Sequence, residues 1–267
     1  MSALEPLVAY SLRRRRGFLI SVTAVLAAFQ LIIVFVARTL EQSGRFQLMQ
    51  GLMPDFIAEW THMGAASFRG FVLFGYSDPV VHVFLAAIAI SVGIEPVAEI
   101  ESKFVDLLMA RPVARWIIVW RTFVVVLLVT WLALLTMFLA NEGGMWLMAP
   151  RTADRPPLTV VASLAAGLGF LTLAWGSIAL AIASWSRRRA TAGAICGFTA
   201  FAMFILDYLG RFWDPAQTLS AISPFHYFDP FGMLGGAALQ FADVAALVTF
   251  TTVSVVVAHV AYARRDL

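Results

Sequence analysis

Six apolar segments, each about as long as a lipid bilayer is thick, constrain this chain more than any other feature. A helix needs roughly 20 apolar residues to cross the hydrocarbon core, with a range of about 17–25. The segments are residues 18–36, 80–94, 116–139, 158–183, 192–209 and 244–262. Only 13% of the residues are charged, whereas a soluble domain carries about 25%. We therefore predict an all-α integral membrane protein with one transmembrane domain over residues 1–267.

The first two segments are unusual in their length or in the residues beside them. The second, 80–94, is short unless a neighbouring half-buried turn extends it. The first, 18–36, follows four arginines and is longer than the roughly 7–15 apolar residues of a cleavable signal peptide. We therefore expect the first segment to stay in the protein as a span.

The basic residues predict the orientation of the spans, because Lys and Arg accumulate in short cytoplasmic loops. An N-terminus placed inside puts most of the 19 Lys and Arg residues on the inner face. The inner set is Arg13, Arg14, Arg15, Arg16, Lys103, Arg111, Arg115, Arg121, Arg187, Arg188, Arg189, Arg264 and Arg265. The outer set is Arg38, Arg45, Arg69, Arg151, Arg155 and Arg211. Both termini are therefore predicted to be cytoplasmic.

Two amphipathic segments are predicted to lie on the membrane surface. Residues 3–12 precede the first arginine cluster, a pattern typical of an interfacial helix held against anionic lipid. Their apolar face is Leu4, Leu7, Val8 and Leu12. Residues 47–60, on the outer side, have apolar residues at four-residue spacing, namely Leu48, Leu52, Phe56 and Trp60.

A third amphipathic segment, residues 98–109, lies between the second and third spans. One face is apolar, with Ile100, Phe104, Leu107 and Leu108 at helical spacing. The exposed face is predicted to carry Glu99, Glu101, Lys103 and Asp106. Pro112 biases Arg111 away from the α conformation and so ends the helix. Such a helix fits either a simple interfacial turn or a docking element on the cytoplasmic side.

Several function classes lack their usual residues. Lys103 is the sole lysine and follows Ser102, so the chain has no Gly-Lys-Ser/Thr phosphate loop with which to hydrolyse ATP. Ionisable residues in the apolar spans are shallow and are interpreted as interfacial or packing residues rather than proton relays. These residues are Arg121, Asp207, His82 and His259. An ion-coupled mechanism is therefore disfavoured.

Catalytic and metal-binding clusters are also missing from the sequence pattern. The four histidines are scattered, and Ser177 has no evident partner base. One outer loop holds soft donors that would suit Cu(I), namely Met49, Met53, His62 and Met63. We interpret these methionines as filling the apolar side of an interfacial helix. No catalytic residue, bound cofactor or metal is predicted for this chain.

The segment between the second and third spans resembles the coupling region of ABC-2-type permeases, the membrane subunits of ABC exporters. The matching residues are Glu99, Glu101, Leu107, Leu108, Arg111, Pro112, Val113 and Arg115. A second match is "ISPFHYFDP" at residues 222–230, before the last span. The six spans, the inside termini and the N-terminal interfacial helix agree with the same family. Ser102 and Lys103 depart from it, because many members have Gly-Thr there.

The resemblance implies a separate soluble ATPase subunit that docks on residues 98–109 from the cytoplasmic side. Phe104 and Leu107 would pack into its groove, and Glu101, Lys103 and Asp106 would pair at the rim. ATP and magnesium would then be bound by that partner, and this chain would be the permease of an exporter in a bacterial inner (plasma) membrane. Besides membrane lipid, no further class of partner is expected, and in particular no nucleic acid.

The resemblance also implies two permease copies, most simply a homodimer, since six spans make half a transporter in this family. Gly193 and Gly197 form a small face that permits close helix approach, as a candidate dimer contact or as packing within one chain. The transported substrate is not evident from the spans. The competing interpretations are a membrane scaffold or sensor, and an integral membrane enzyme that acts on lipid.

Overall fold

The computed structural model describes residues 4–46, 67–102, 116–234 and 238–264. The regular structure in these ranges is helical. The α-helices in chain order are α1 (Leu4–Arg14), α2 (Arg16–Gln42), α3 (Phe68–Ser77), α4 (Pro79–Gly93), α5 (Glu95–Glu101), α6 (Trp116–Met148), α7 (Leu158–Trp185), α8 (Arg189–Gly210), α9 (Asp214–Ser220), α10 (Pro230–Leu234) and α11 (Phe241–Ala263). A 3-10 turn, Pro224–Tyr227, lies between α9 and α10.

The prediction of six spanning segments is confirmed at the level of length and composition. The described ranges contain six helices that are long and apolar enough to cross a membrane, one of them formed by α3 and α4 together. Each contains its predicted segment to within a residue at either end. The chain is therefore a helical, multi-pass membrane protein.

The short second segment is completed by α3, so that Phe68–Gly93 together makes a span of 26 residues. Ser67 starts α3 because its side chain accepts a hydrogen bond from Gly70 N at 3.0 Å. Asp78 then separates α3 from α4, and its carboxylate accepts from Val80 N at 2.8 Å. Pro79 occupies the first turn of α4, where its missing N–H costs nothing.

The third span, α6, runs nine residues beyond its predicted end at residue 139 and ends at Met148. Asn141 and Glu142 interrupt the apolar run and made it look finished. Asn141 is nevertheless buried, and its Nδ2 donates to Gln30 Oε1 at 3.2 Å. Gln30 Nε2 donates in turn to the carbonyl of Gly75 at 3.1 Å. A buried polar bridge therefore joins α2, α3 and the far part of α6.

The centre of the bundle is α7, which packs against α4, α6 and α11. Two glycines let the helix axes approach. A Cβ atom on Gly93 would lie 2.4 Å from the carbonyl oxygen of Gly176, and one on Gly176 would lie 2.4 Å from Val126 Cγ1. Because small residues are what permit close contact between helices in a membrane, these positions set the spacing of α4, α6 and α7.

The amphipathic segments are described in part. Helix α1 covers residues 4–12 of the predicted 3–12, and Val8 and Leu12 pack against the core of the bundle. Its position on a membrane surface stays a prediction. The predicted segment 47–60 and residues 103–115 lie outside the described residues. So do Met49, Met53, His62 and Met63.

Candidate functional site: an ion-pair junction around α5

Helix α5 brings three glutamates to one end of the bundle, which we call the basic end because Arg15, Arg121 and Arg189 lie there. The helix follows α4 after a single residue and has Pro96 in its first turn. Glu95 and Glu99 are four residues apart and so share a face, and Glu101 ends the helix. We call these glutamates and the groups they contact the ion-pair junction.

Glu99 forms a buried ion pair with Arg121 of α6. Arg121 Nη2 donates to Glu99 Oε2, and the two side chains are 1% and 2% exposed. The expectation that Glu99 lies on an exposed face is therefore wrong. Burying the Glu99 carboxylate among apolar side chains without a partner would cost free energy. The guanidinium of Arg121 in α6 offsets that cost.

Arg121 has further hydrogen-bonding capacity. Its Nη1 is buried and has no hydrogen-bond partner among the described residues. A guanidinium offers five N–H donors in a rigid fork, so a single carboxylate oxygen satisfies only part of it. This pair is less completely satisfied than a purely structural bidentate pair would be.

Glu95 contacts the joint between α1 and α2. Its Oε2 pairs with Arg15 Nη2, and its Oε1 lies 3.9 Å from Arg14 Nη1. Arg15 Nη2 also donates to the carbonyl of Ser91 at 3.3 Å, at the end of α4. Burial, followed by the charges of Arg189 and Arg14, lowers the pKa of Arg15 to about 10. Arg15 is thus still protonated at neutral pH, and the pair holds α1 and α2 against α4 and α5.

Glu101 contacts the start of α8. Its Oε2 accepts a hydrogen bond from the backbone N–H of Arg189 at 3.0 Å. The residue before α8, Arg188, supplies no side-chain cap, so the carboxylate of α5 satisfies a donor that the helix itself leaves open. A negative charge at a helix N-terminus is also favoured by the helix dipole. Helix α5 therefore contacts α6, α8 and the joint between α1 and α2 through one glutamate each.

Part of this junction was predicted and part was missed. Glu99 and Glu101 belong to the predicted coupling set, and the structure brings them together with Arg15, Glu95 and Arg121, which were not in that set. The signal for Arg121 was its position inside an apolar span, because ionisable residues in spans pair with one another or with backbone carbonyls. The remaining predicted coupling residues lie outside the described residues, namely Lys103, Phe104, Asp106, Leu107, Leu108, Arg111, Pro112 and Arg115.

At the opposite end of the bundle, the segment around residues 222–230 is packed against α8. Ser223 Oγ donates to the carbonyl of Met203 at 3.0 Å and accepts from Phe225 N at 3.2 Å. The ring of Phe225 lies 5.3 Å from that of Trp175 in α7. Asp207 of α8 is ion-paired with Arg211 at 3.1 Å. Asp207 was predicted to be an interfacial or packing residue, and it is buried in the last turn of α8.

The two glycines proposed as a dimer contact lie where α8 faces α4. A gap of about 290 Å³ separates these helices, and both Gly193 and Gly197 line it. A Cβ on Gly193 would lie 3.5 Å from Ile94 Cδ1, whereas one on Gly197 would meet nothing within 4 Å. Gly193 therefore packs within the chain, and a contact between copies stays a prediction for both glycines. Cys196, which lies between them, is buried.

Within the part of the chain that the structure describes, no group of three or more His, Cys, Asp or Glu side chains could hold a metal ion. The ion-pair junction instead combines oppositely charged side chains from separate helices.

The sequence matches no protein-family model and no curated protein. The fold therefore defines the class of this protein, a multi-pass helical membrane protein with six candidate spans.

Proposed function

We propose that the chain is the membrane-spanning permease subunit of an ABC transporter of the ABC-2 type, working as an exporter. A separate ATPase subunit binds and hydrolyses ATP with magnesium, and two permease copies complete the transporter as a homodimer. The membrane is a bacterial plasma membrane with both termini cytoplasmic. The observation that carries this proposal is the position of the ion-pair junction directly before the segment that resembles a coupling region.

A docked ATPase needs a rigid path into the bundle, and α5 supplies one. Any displacement of residues 103–115 pulls on the end of α5. From there Glu99 acts on α6 through Arg121, Glu95 acts on α2 through Arg15, and Glu101 acts on α8 through the Arg189 N–H. Three spans would then move together, as rocking between two conformations requires.

The resemblance supplies the contacts on the ATPase side. Residues 98–109 dock in a groove of the partner, with Phe104 and Leu107 as apolar anchors. Buried apolar anchors carry most of the binding energy at interfaces of this kind. Lys103 and Asp106 pair with the rim, and Arg111, Pro112 and Arg115 turn the chain back into the membrane.

The test is to purify the chain from its own host in a mild detergent and identify what stays bound. We expect a stoichiometric soluble partner with a phosphate-binding loop. Leu107→Asp should release it, because a buried charge at an apolar anchor is not compensated. Leu52→Asp is the matched control, since it makes the same change in the amphipathic segment predicted on the other side of the membrane.

A chain that is purified alone, or with enzymes that lack a nucleotide site, would overturn the proposal. The same holds if Leu107→Asp and Leu52→Asp retain the ATPase equally. The scaffold or sensor interpretation would then be the better one, because it requires no ATPase contact at residues 98–109.

A further inference from the structure

A groove between the basic ends of α7 and α11 has a volume of about 640 Å³. This lies within the range of about 300–1,000 Å³ that is usual for ligand pockets. Its wall on the α11 side is apolar and is built from Val256, Val257 and Val260. These valines are 55%, 40% and 43% exposed, so the protein leaves them uncovered. We call this feature the α7–α11 groove.

The rim of the groove is basic. Arg187 follows the end of α7, and Arg264 follows the end of α11, so that one arginine from each helix borders the same opening. Both are exposed, and neither forms an ion pair with a carboxylate of the described residues. The rim of the groove therefore carries two exposed guanidinium groups beside an apolar wall.

Trp185, which is 73% exposed, also lines the groove. Exposed tryptophan at the end of a spanning helix is typical of the boundary between headgroups and acyl chains. Arginines at this depth meet phosphate groups, with which guanidinium forms charge-assisted hydrogen bonds. The valines lie deeper along the spanning helix, where acyl chains are the surrounding solvent.

We propose that the α7–α11 groove binds one anionic phospholipid. Its phosphate lies between Arg187 and Arg264, and one acyl chain lies along the valines of α11. The basic end is the one predicted to be cytoplasmic, and anionic lipids give the cytoplasmic leaflet its negative surface potential. A lipid accounts for both the charged rim and the apolar wall, whereas a free phosphate accounts for the rim alone.

A second groove shows what an unselective lipid contact looks like in the same molecule. It lies between α6 and α7, has a volume of about 410 Å³ and is lined by apolar residues with Thr130 and no charged side chain. An acyl chain fits there, but nothing in its lining distinguishes one headgroup from another. The arginine pair makes the α7–α11 groove selective.

The first test is native mass spectrometry of the full chain in a neutral detergent, with phosphatidylglycerol or phosphatidylcholine of identical acyl chains. We expect one site that prefers phosphatidylglycerol. Arg187→Gln/Arg264→Gln should weaken its binding about 30-fold, given the usual contribution of two arginines near an anionic surface. The control is Arg13→Gln/Arg16→Gln, which removes the same charge from exposed positions at the same end. Equal loss in both variants would overturn the proposal.

The second test separates lipid from free phosphate. Val257→Phe fills the groove but keeps both arginines, and we expect it to abolish the tight site. Inorganic phosphate at millimolar concentration should not displace phosphatidylglycerol from the wild-type chain. Full retention of lipid by Val257→Phe, or full displacement by phosphate, would each refute the site. Cys196 is buried in the folded chain. A thiol-reactive dye that fails to label Cys196 therefore shows that a variant is folded. None of these outcomes depends on an ATPase partner.

Discussion

Arg121 Nη2 donates a hydrogen bond to Glu99 Oε2 where α5 meets α6, and neither side chain is more than 2% exposed. Removing two charges from water is expensive, and their attraction in the interior roughly offsets that cost. The pair therefore fixes where α5 sits against α6 more than it adds net stability. This distinction leads to a testable asymmetry between breaking the pair and removing it.

Removing one partner of the Glu99–Arg121 pair should destabilise the protein strongly. Glu99→Leu or Arg121→Met leaves an uncompensated buried charge, and we expect a loss of about 3–5 kcal/mol in the free energy of unfolding. The double variant leaves no charge behind and should lose less than either single variant. Unfolding can be followed with a thiol-reactive dye, because Cys196 is the sole cysteine and is buried.

The matched control for this cycle is Arg13→Met, which removes an exposed arginine at the same end of the bundle. Its effect should be within about 0.5 kcal/mol, as for most surface substitutions. Strict additivity of Glu99→Leu and Arg121→Met would contradict the interpretation, because residues in direct contact should couple.

Two adjacent arginines provide a comparison at equal change of charge. Arg15 is 13% exposed and pairs with Glu95 while donating to the carbonyl of Ser91, whereas Arg14 is 50% exposed and 3.9 Å from the same glutamate. We expect Arg15→Gln to cost about 1–3 kcal/mol, because it breaks a largely buried, charge-assisted contact. Arg14→Gln should cost no more than about 0.5 kcal/mol. Equal melting temperatures for the two variants would contradict the expectation that the Arg15 contact contributes more to stability than the Arg14 contact.

A third prediction concerns helix spacing. In Gly93→Ala the new Cβ would lie 2.4 Å from the carbonyl oxygen of Gly176, so backbone would have to move. We expect a loss of about 1–3 kcal/mol from overpacking. Gly143→Ala is the control, because its Cβ would meet nothing within 4 Å. A Gly93→Ala protein as stable as Gly143→Ala would mean that α4 and α7 are not in close contact.

The spans were predictable because their length and apolar character are local properties of the chain. The far end of α6 was not, since Asn141 looks like a helix boundary until Gln30, 111 residues earlier, is placed beside it. Glu99 was misplaced for a similar reason. Helical spacing identifies which residues share its face, but it does not reveal that Arg121 of another helix lies against that face.

The same limit applies to the site. Glu99 and Glu101 of α5 were identified from a local motif, whereas the arginines that contact the three glutamates of α5 come from three other places along the chain. Arg15 was counted only as a topology signal, and Arg121 was also interpreted as an interfacial or packing residue. Contacts between elements distant in sequence depend on how the helices pack, and apolar periodicity alone leaves the rotation of each helix open.

The hydrogen bond between Glu101 and the start of α8 allows the proposed coupling to be tested without knowing the substrate. Glu101 is exposed and accepts one hydrogen bond from Arg189 N, so Glu101→Gln should alter stability by less than about 1 kcal/mol. Once the ATPase complex is in hand, hydrogen exchange at residues 189–193 should respond to ATP in the wild-type chain and much less in Glu101→Gln. Glu5→Gln, which neutralises an exposed glutamate of α1, should leave the response intact. An unchanged response in Glu101→Gln would mean that α8 moves independently of α5. Helix α5 would then transmit motion only to α2 and α6.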